Sequence, residues 1–181
     1  MVFRVRKAPY SLLVIGLTLV AMLSFSNSAN SANSANSANS DKQQIKTVLN
    51  RFHQAAASAN FEVYFDLLSH NAIFLGTDAS ERWTKDAFKD YVRPAFSKGN
   101  GWLYTPNQQN IEVIKHRQVA FFDELLSSES YGTCRSSGIL IKTPLGWKIS
   151  QYNLSIPIPN SLAKDVTNKI KSFQKVILNA Q

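Results

Sequence analysis

Gly146-Trp147-Lys148-Ile149-Ser150-Gln151-Tyr152-Asn153-Leu154-Ser155-Ile156-Pro157-Ile158-Pro159 reads as one long strand closed by two prolines. Alternate residues of a strand fall on opposite faces. Trp147, Ile149, Gln151, Asn153 and Ser155 therefore share one face, and Lys148, Ser150, Tyr152, Leu154 and Ile156 share the other. The first face begins apolar and ends polar. Such a face suits a pocket with an apolar floor and a hydrogen-bonding end. It suits equally well a plain sheet strand whose polar residues lie near its open end.

Upstream, the same strand periodicity runs through Trp102–Thr105, Ile111–Lys115, Gln118–Leu126 and Gly132–Lys142. Thr143-Pro144-Leu145-Gly146 supplies the last hairpin turn. Before these strands the period is helical. Ile45, Val48, Leu49, Phe52 and Ala56 make an apolar stripe over Asp41–Asn60, with Ser40 or Asp41 as cap and His53 on its flank. Phe61–Leu68 reads as a short helix and Asn71–Leu75 as a strand. Thr84–Ser97 reads as a helix capped by Thr84 and bent or shortened by Pro94. Helices first and an antiparallel sheet after is an α+β order, in which the sheet must curl around the helices to bury one face.

Beyond Pro159, Leu162, Val166, Ile170, Phe173 and Ile177 form one stripe of a helix over Ser161–Ala180. Lys164, Lys171 and Lys175 form another. This amphipathic helix either docks on its own domain, contacts a second copy in a homodimer, or associates weakly with a membrane surface.

The N-terminus has the pattern of a secretory signal peptide. Arg4, Arg6 and Lys7 precede an apolar run, Ser11–Phe25, which is followed by small residues. The run is short for a membrane span, although an uncleaved anchor stays open. Ser-Ala-Asn then repeats from Ser28 to Asn39. It carries no charge and no large apolar group to offset ordering entropy, so it reads as a flexible spacer. The expected organisation is a signal over 1–28, a linker over 29–40, a domain over 41–159 and a helix over 160–181. The expected location is periplasmic or secreted.

The chain's net charge is +8, and three of its 20 Lys and Arg precede Asp41, leaving 17 basic against 12 acidic residues, or +5. The lysines are dispersed and join no aromatic platform, so no nucleic-acid partner is expected. Cys134 is the only cysteine, which excludes an intramolecular disulfide and reads as a small buried hydrophobe. His53, His70 and His116 lack metal-ligand spacing, and neither metal nor cofactor is expected.

Several stretches together resemble the SnoaL-like branch of the nuclear transport factor 2-like superfamily. They are Ala72–Asp78, Glu81-Arg82-Trp83-Thr84, Gly101–Pro106, Val119–Glu124, Tyr131–Arg135 and Gly146–Ser155. The likeness spans about residues 41–159. It implies a cone-shaped α+β barrel, with N-terminal helices packed in a strongly curved antiparallel sheet, a cavity at the wide end, and frequent dimers. Members include isomerases, dehydratases, cyclases and non-catalytic binding or assembly domains. Where this branch often carries histidine on the last strand, this chain has Gln151 and Asn153, which removes a natural proton shuttle.

Strand alternation groups Asp123 with Val119, Phe121 and Leu125. If that face points inward, desolvation raises the carboxyl's pKa and suits it to act as a general base. Arg135 then reads as its inward partner, and an ion pair between them is structural. Glu124 points the other way, toward solvent, on this register, and a one-residue slip exchanges the two. Trp83, Trp102 and Tyr104 are placed to line the cavity mouth, with Arg135, Gln151 and Asn153 as further ligand contacts. The reading adopted is an exported domain that binds a small organic ligand. The alternatives are a cofactor-independent isomerase, dehydratase or hydrolase using Asp123, and a protein-interaction or assembly module.

Overall fold

The structure, a computed structural model, describes residues 36–179 apart from Lys115 and Arg117. The expected signal and most of the Ser-Ala-Asn repeat lie outside the described residues. The chain divides into two compact units, Met1–Asp41 and Lys42–Gln181.

Helix α1 covers residues 36–57. Its stripe of Ile45, Leu49, Phe52, Ala55 and Ala56 is buried. Ser40 and Asp41 lie within the helix instead of capping it. Once a helix is nucleated, each added residue gains a hydrogen bond, and alanine is the best helix former. Helix α2 follows (Phe61–Asp66), capped by Asn60, whose side chain accepts from the Val63 N–H. Strand β1 is Leu68–Leu75 and β2 is the short Arg82–Thr84. Thr84 caps α3 (Lys85–Phe96) by accepting from the Ala87 N–H at 3.3 Å. Pro94 sits in the last turn, so it shortens nothing that precedes it.

Four strands complete the sheet: β3 (Thr105–Ile114), β4 (Val119–Ser128), β5 (Gly132–Thr143) and β6 (Gly146–Ser155). What the sequence divided into two short segments is one strand, β3, with Trp102–Tyr104 preceding it. The order is β2-β1-β6-β5-β4-β3, so the curved sheet stays unclosed, with β2 and β3 at its edges. Pro106 is tolerated because β3 is an edge strand. All neighbours pair antiparallel except β1 and β6, which run parallel.

The strand quoted above contains an irregularity that resets its faces. Leu140 pairs with Ile149, yet Ile139 pairs with Gln151, so Ser150 is the extra residue of a bulge. Trp147 and Ile149 are buried before it; Tyr152 and Leu154 are buried after it. Gln151, Asn153 and Ser155 thus leave the face they were expected to share with Trp147. Gly138 lies against this site. A Cβ there would collide with the Gln151 carbonyl oxygen and the Phe122 ring.

The core fills the concave side, from α1, α2 and α3 to the inward residues of the strands. Helix α4 (Ala163–Asn179) forms as expected, but it has no buried residue. Ile170, Phe173 and Ile177 of its stripe remain exposed, so it does not dock on its own domain through them.

Candidate functional site

A pocket of about 250 Å³ opens where β1 ends, β2 and α3 begin, and the 101–104 segment crosses. Seven of its eleven lining residues are aromatic: Phe74, Trp83, Phe88, Tyr91, Trp102, Tyr104 and Tyr131. Gly76, Thr77, Glu81 and Leu154 complete it. The aromatics hold one another in place. Trp83 stacks on Tyr91 with centroids 5.0 Å apart, and Phe74 stacks on Phe88 at 4.0 Å and on Tyr152 at 5.4 Å. Trp102 packs against Phe96 at 4.9 Å, and its backbone N–H donates to the Ala56 carbonyl. This approach depends on Gly101, where a Cβ would strike that same carbonyl oxygen.

The polar atoms of the pocket are chiefly neutral donors. Burial first, then the neighbouring Cys134 and Tyr131, push the Tyr104 phenol up to about 12. Behind the wall, burial and the neighbouring Tyr152 and Tyr104 raise Tyr64 well above the usual tyrosine range. The Trp102 indole N–H, bonded to its hydroxyl, opposes that shift. Among the described residues that line the pocket Glu81 alone is charged; its carboxylate accepts from the Asp78 N–H at 3.2 Å. Aromatic walls, phenol donors and one rim carboxylate can sandwich a flat ligand and orient one polar substituent on it.

The sequence-based site residues divide into two groups. Trp83, Trp102 and Tyr104 meet in this pocket. Asp123, Arg135, Gln151 and Asn153 lie on the opposite, convex face of the sheet. Along β4 the buried residues are Ala120, Phe122, Glu124 and Leu126, while Phe121 and Asp123 are exposed. The inward orientation of Asp123 is therefore corrected by one residue. Asp123 accepts from Asn110 Nδ2 at 2.9 Å across the β3–β4 pair. Arg135 sits on exposed backbone of β5, opposite Leu125 and Ser155, and the two form no ion pair among the described residues. Gln151 and Asn153 share a shallow outer depression with Phe121, Asp123 and Ile139.

The carboxylate inside the fold is Glu124, which has no solvent exposure. It accepts from His53 Nε2 at 3.1 Å on both oxygens, from Gln109 Nε2 at 2.8 Å and from Ser136 Oγ at 2.8 Å. Burial alone would raise its pKa; the bond and charge of His53, with the bonds from Gln109 and Ser136, win and hold it below the usual range. An ionised carboxylate only accepts, so His53 Nε2 carries the proton. His53 is itself 6 % exposed, not a solvated flank residue. Neither residue lines the aromatic pocket. The pair joins α1 to β4, with β3 and β5 as supports. A signal for it exists in the sequence: His53 lies four residues after Leu49, on the buried stripe.

Among the described residues, no group of three His, Cys, Asp or Glu side chains is placed to hold a metal ion. No helix among them is long and apolar enough to cross a membrane.

A structure from Streptomyces avermitilis, proposed to be a dehydratase of the NTF2-like family, matches with TM-score 0.58 and 12% identity over 67% of this chain and 99% of that one. An NTF2-like protein of unknown function from Pseudomonas putida KT2440 matches with TM-score 0.55 and 12% identity, over 67% and 89%. A protein proposed to be an aromatic ring hydroxylase, from Novosphingobium aromaticivorans, matches with TM-score 0.54 and 12% identity, over 66% and 91%. At such identities the likeness is one of fold. No functionally curated protein matches the sequence. The family model described as the SnoaL-like domain matches residues 45–159, the helices and the whole sheet that frame the pocket: the chain belongs to the SnoaL-like domain family.

Proposed function

We propose that this protein binds a small, flat organic ligand in the aromatic pocket, without a cofactor. The observation that carries the reading is the lining itself, seven aromatic side chains around about 250 Å³ with one carboxylate at the rim. That volume lies near the lower end of ligand pockets, so the ligand is about one or two rings in size. Catalysis with Asp123 as general base has no support from the pocket, because Asp123 lies on the other face of the sheet.

The test is a native mass spectrum of the purified protein, followed by titration with p-nitrophenol, which quenches tryptophan emission. Saturable quenching whose half-saturation concentration rises in Trp83→Ala and, to a lesser degree, in Tyr104→Phe supports the reading. A protein with no adduct and linear, non-saturating quenching sinks it.

Self-association has its own supporting observation. Phe121 and Ile139 are exposed on the convex sheet face, at 50% and 37%. A homodimer through that face predicts a concentration-dependent mass in sedimentation, lost in Phe121→Lys. Export, suggested by the apolar run Ser11–Phe25 behind Arg4, Arg6 and Lys7, is tested by N-terminal sequencing of the protein from the cell exterior or periplasm. Recovery of the uncut chain from the cytosol alone refutes it.

A further inference from the structure

A second and larger pocket, about 660 Å³, shares no residue with the aromatic one. It lies at the other end of β1, between that strand's first residues, the start of α3 and the β5–β6 hairpin. Leu68, Ile141, Pro144 and Leu145 make its apolar wall; Ser69, His70, Lys85 and Lys148 are among its polar residues.

Two features of this pocket are otherwise unexplained. Ser69 is 7% exposed, and its hydroxyl, itself buried, has no hydrogen-bond partner among the described residues. A buried hydroxyl left unpaired is uncommon and calls for a missing partner. Lys85 is half-buried, donates to the Leu68 carbonyl at 2.9 Å and makes no ion pair among the described residues. Its ammonium therefore retains two N–H donors. Lys148 differs: it holds Asp66 through both the backbone oxygen at 2.6 Å and Oδ2 at 3.1 Å, so it neutralises the one carboxylate that lines the pocket. Lys85 is the pocket cation without a direct carboxylate contact among the described residues. As the first residue of α3, it stands at the positive end of the helix dipole. Burial first, then the like charge of Lys89, lower the Lys85 pKa and Lys148 adds to this, while the Asp66 and Asp86 carboxylates oppose the shift without reversing it. An anion beside Lys85 would relieve the crowding.

We propose that this pocket binds a small organic oxyanion with an apolar substituent, its head group on Lys85 and Ser69 and its substituent against Ile141, Pro144 and Leu145. The anion supplies both things the pocket lacks, an acceptor for the Ser69 hydroxyl and a countercharge for Lys85. The apolar wall sets the preference for an organic over an inorganic anion.

Calorimetric titration of the full chain at low ionic strength with n-butyl phosphate tests the site. Butanoate and inorganic phosphate distinguish carboxylate from phosphate heads and measure the apolar contribution. Saturable binding of butyl phosphate or butanoate is expected, tighter than that of inorganic phosphate. Lys85→Met weakens it about tenfold, the loss of one charge-assisted hydrogen bond. Ser69→Ala weakens it a few-fold yet raises the Tm of the ligand-free protein, because an unsatisfied buried hydroxyl is removed. Exposed Lys98→Met and the aromatic-pocket variant Trp83→Ala leave it unchanged. Absence of saturable binding overturns the proposal. So does a loss in Lys98→Met equal to that in Lys85→Met, which marks diffuse attraction, or an equal loss in Trp83→Ala, which moves binding to the other pocket. Inorganic phosphate binding as tightly as butyl phosphate overturns the role of the apolar wall. If Lys85→Met does not fold, an unchanged affinity in Ser69→Ala suffices to reject the site.

Discussion

Nε2 of His53 stands 3.1 Å from each carboxylate oxygen of Glu124, with both side chains shielded from water. The bond fastens the first helix to β4, next to the sheet's β3 edge; removing Glu124 takes the acceptor from His53 Nε2, while removing His53 leaves the buried carboxylate with Gln109 and Ser136 alone. Glu124→Ala is expected to destabilise the fold by about 3–5 kcal/mol, the usual cost of breaking a buried pair. Asp123→Asn, one residue away on the outer face, is expected to stay within about 0.5 kcal/mol of the parent. Urea denaturation of the two variants checks the assignment of inner and outer acid, and equal costs refute it.

The same pair makes the fold sensitive to acid. The Glu124 pKa is lowered in the fold from its ordinary value of 4.5. The folded state therefore binds this proton less readily than the unfolded chain does. The stabilisation is fully present above that ordinary value and is lost as the pH falls through the lower, folded one. Tm is expected to fall below pH 4.5 with a shallower slope in Glu124→Gln than in the parent. Superimposable profiles would remove Glu124 from the acid response.

In the aromatic pocket, Trp83 and Tyr91 form one stacked wall. Removing the indole opens that wall while leaving the main core intact. Trp83→Ala is expected to weaken p-nitrophenol binding by about 1–2 kcal/mol, roughly five- to thirtyfold, on the scale of an aromatic contact with its buried area. Unchanged affinity in a folded variant would show that the ligand does not touch this wall.

Cys134 has no solvent exposure, and burial raises its thiol pKa. Both effects suppress the thiolate and its access. The native protein is expected to react with Ellman's reagent orders of magnitude more slowly than the unfolded chain. Rapid stoichiometric reaction in the native state would contradict this packing.

Gly138→Ala places a methyl group where the Gln151 carbonyl and the Phe122 ring already stand. Overpacking of this kind costs about 1–3 kcal/mol. Because the bulge beside it turns Tyr152 and Leu154 inward, a reduced Tm should be accompanied by altered near-ultraviolet dichroism. A Tm equal to the parent's would mean that the sheet relaxes freely there.

The order of helices and strands is legible in the sequence because most segments have one clear apolar face. β4 does not. Val119, Phe121 and Leu125 on one side match Ala120, Phe122 and Leu126 on the other, with one acid on each. Alternation alone has no basis for choosing between Asp123 and Glu124. The choice is made across the fold, by His53 on α1 and Ser136 on β5. In β6 the failure has a different cause: the sequence alternates throughout, but the bulge at Ser150 adds one residue, so Gln151 and Asn153 end outside. Trp83 and the Trp102–Tyr104 segment lie apart in sequence and meet around one pocket. Ser69 and Lys85 had no motif to mark them, since a hydroxyl lacking a partner is a property of packing. The stripe of α4 was legible, while its exposure was not, because periodicity records a face and not its occupant.

The parallel pairing of β1 with β6 bears on how the molecule reaches this state. Leu68 pairs with Ile149, so the contact closes a loop of about eighty residues and waits on long-range search, unlike the β3–β6 meander, whose strands meet through short turns. During synthesis β1, β2 and α3 emerge before their partner strand exists. The meander can form as soon as it is complete, and β1 must then be captured onto its free β6 edge. Both pockets draw walls from β1 and from β6. A chain stopped short of Gly146 thus has neither pocket, and folding kinetics should show ligand competence arriving with the slowest phase.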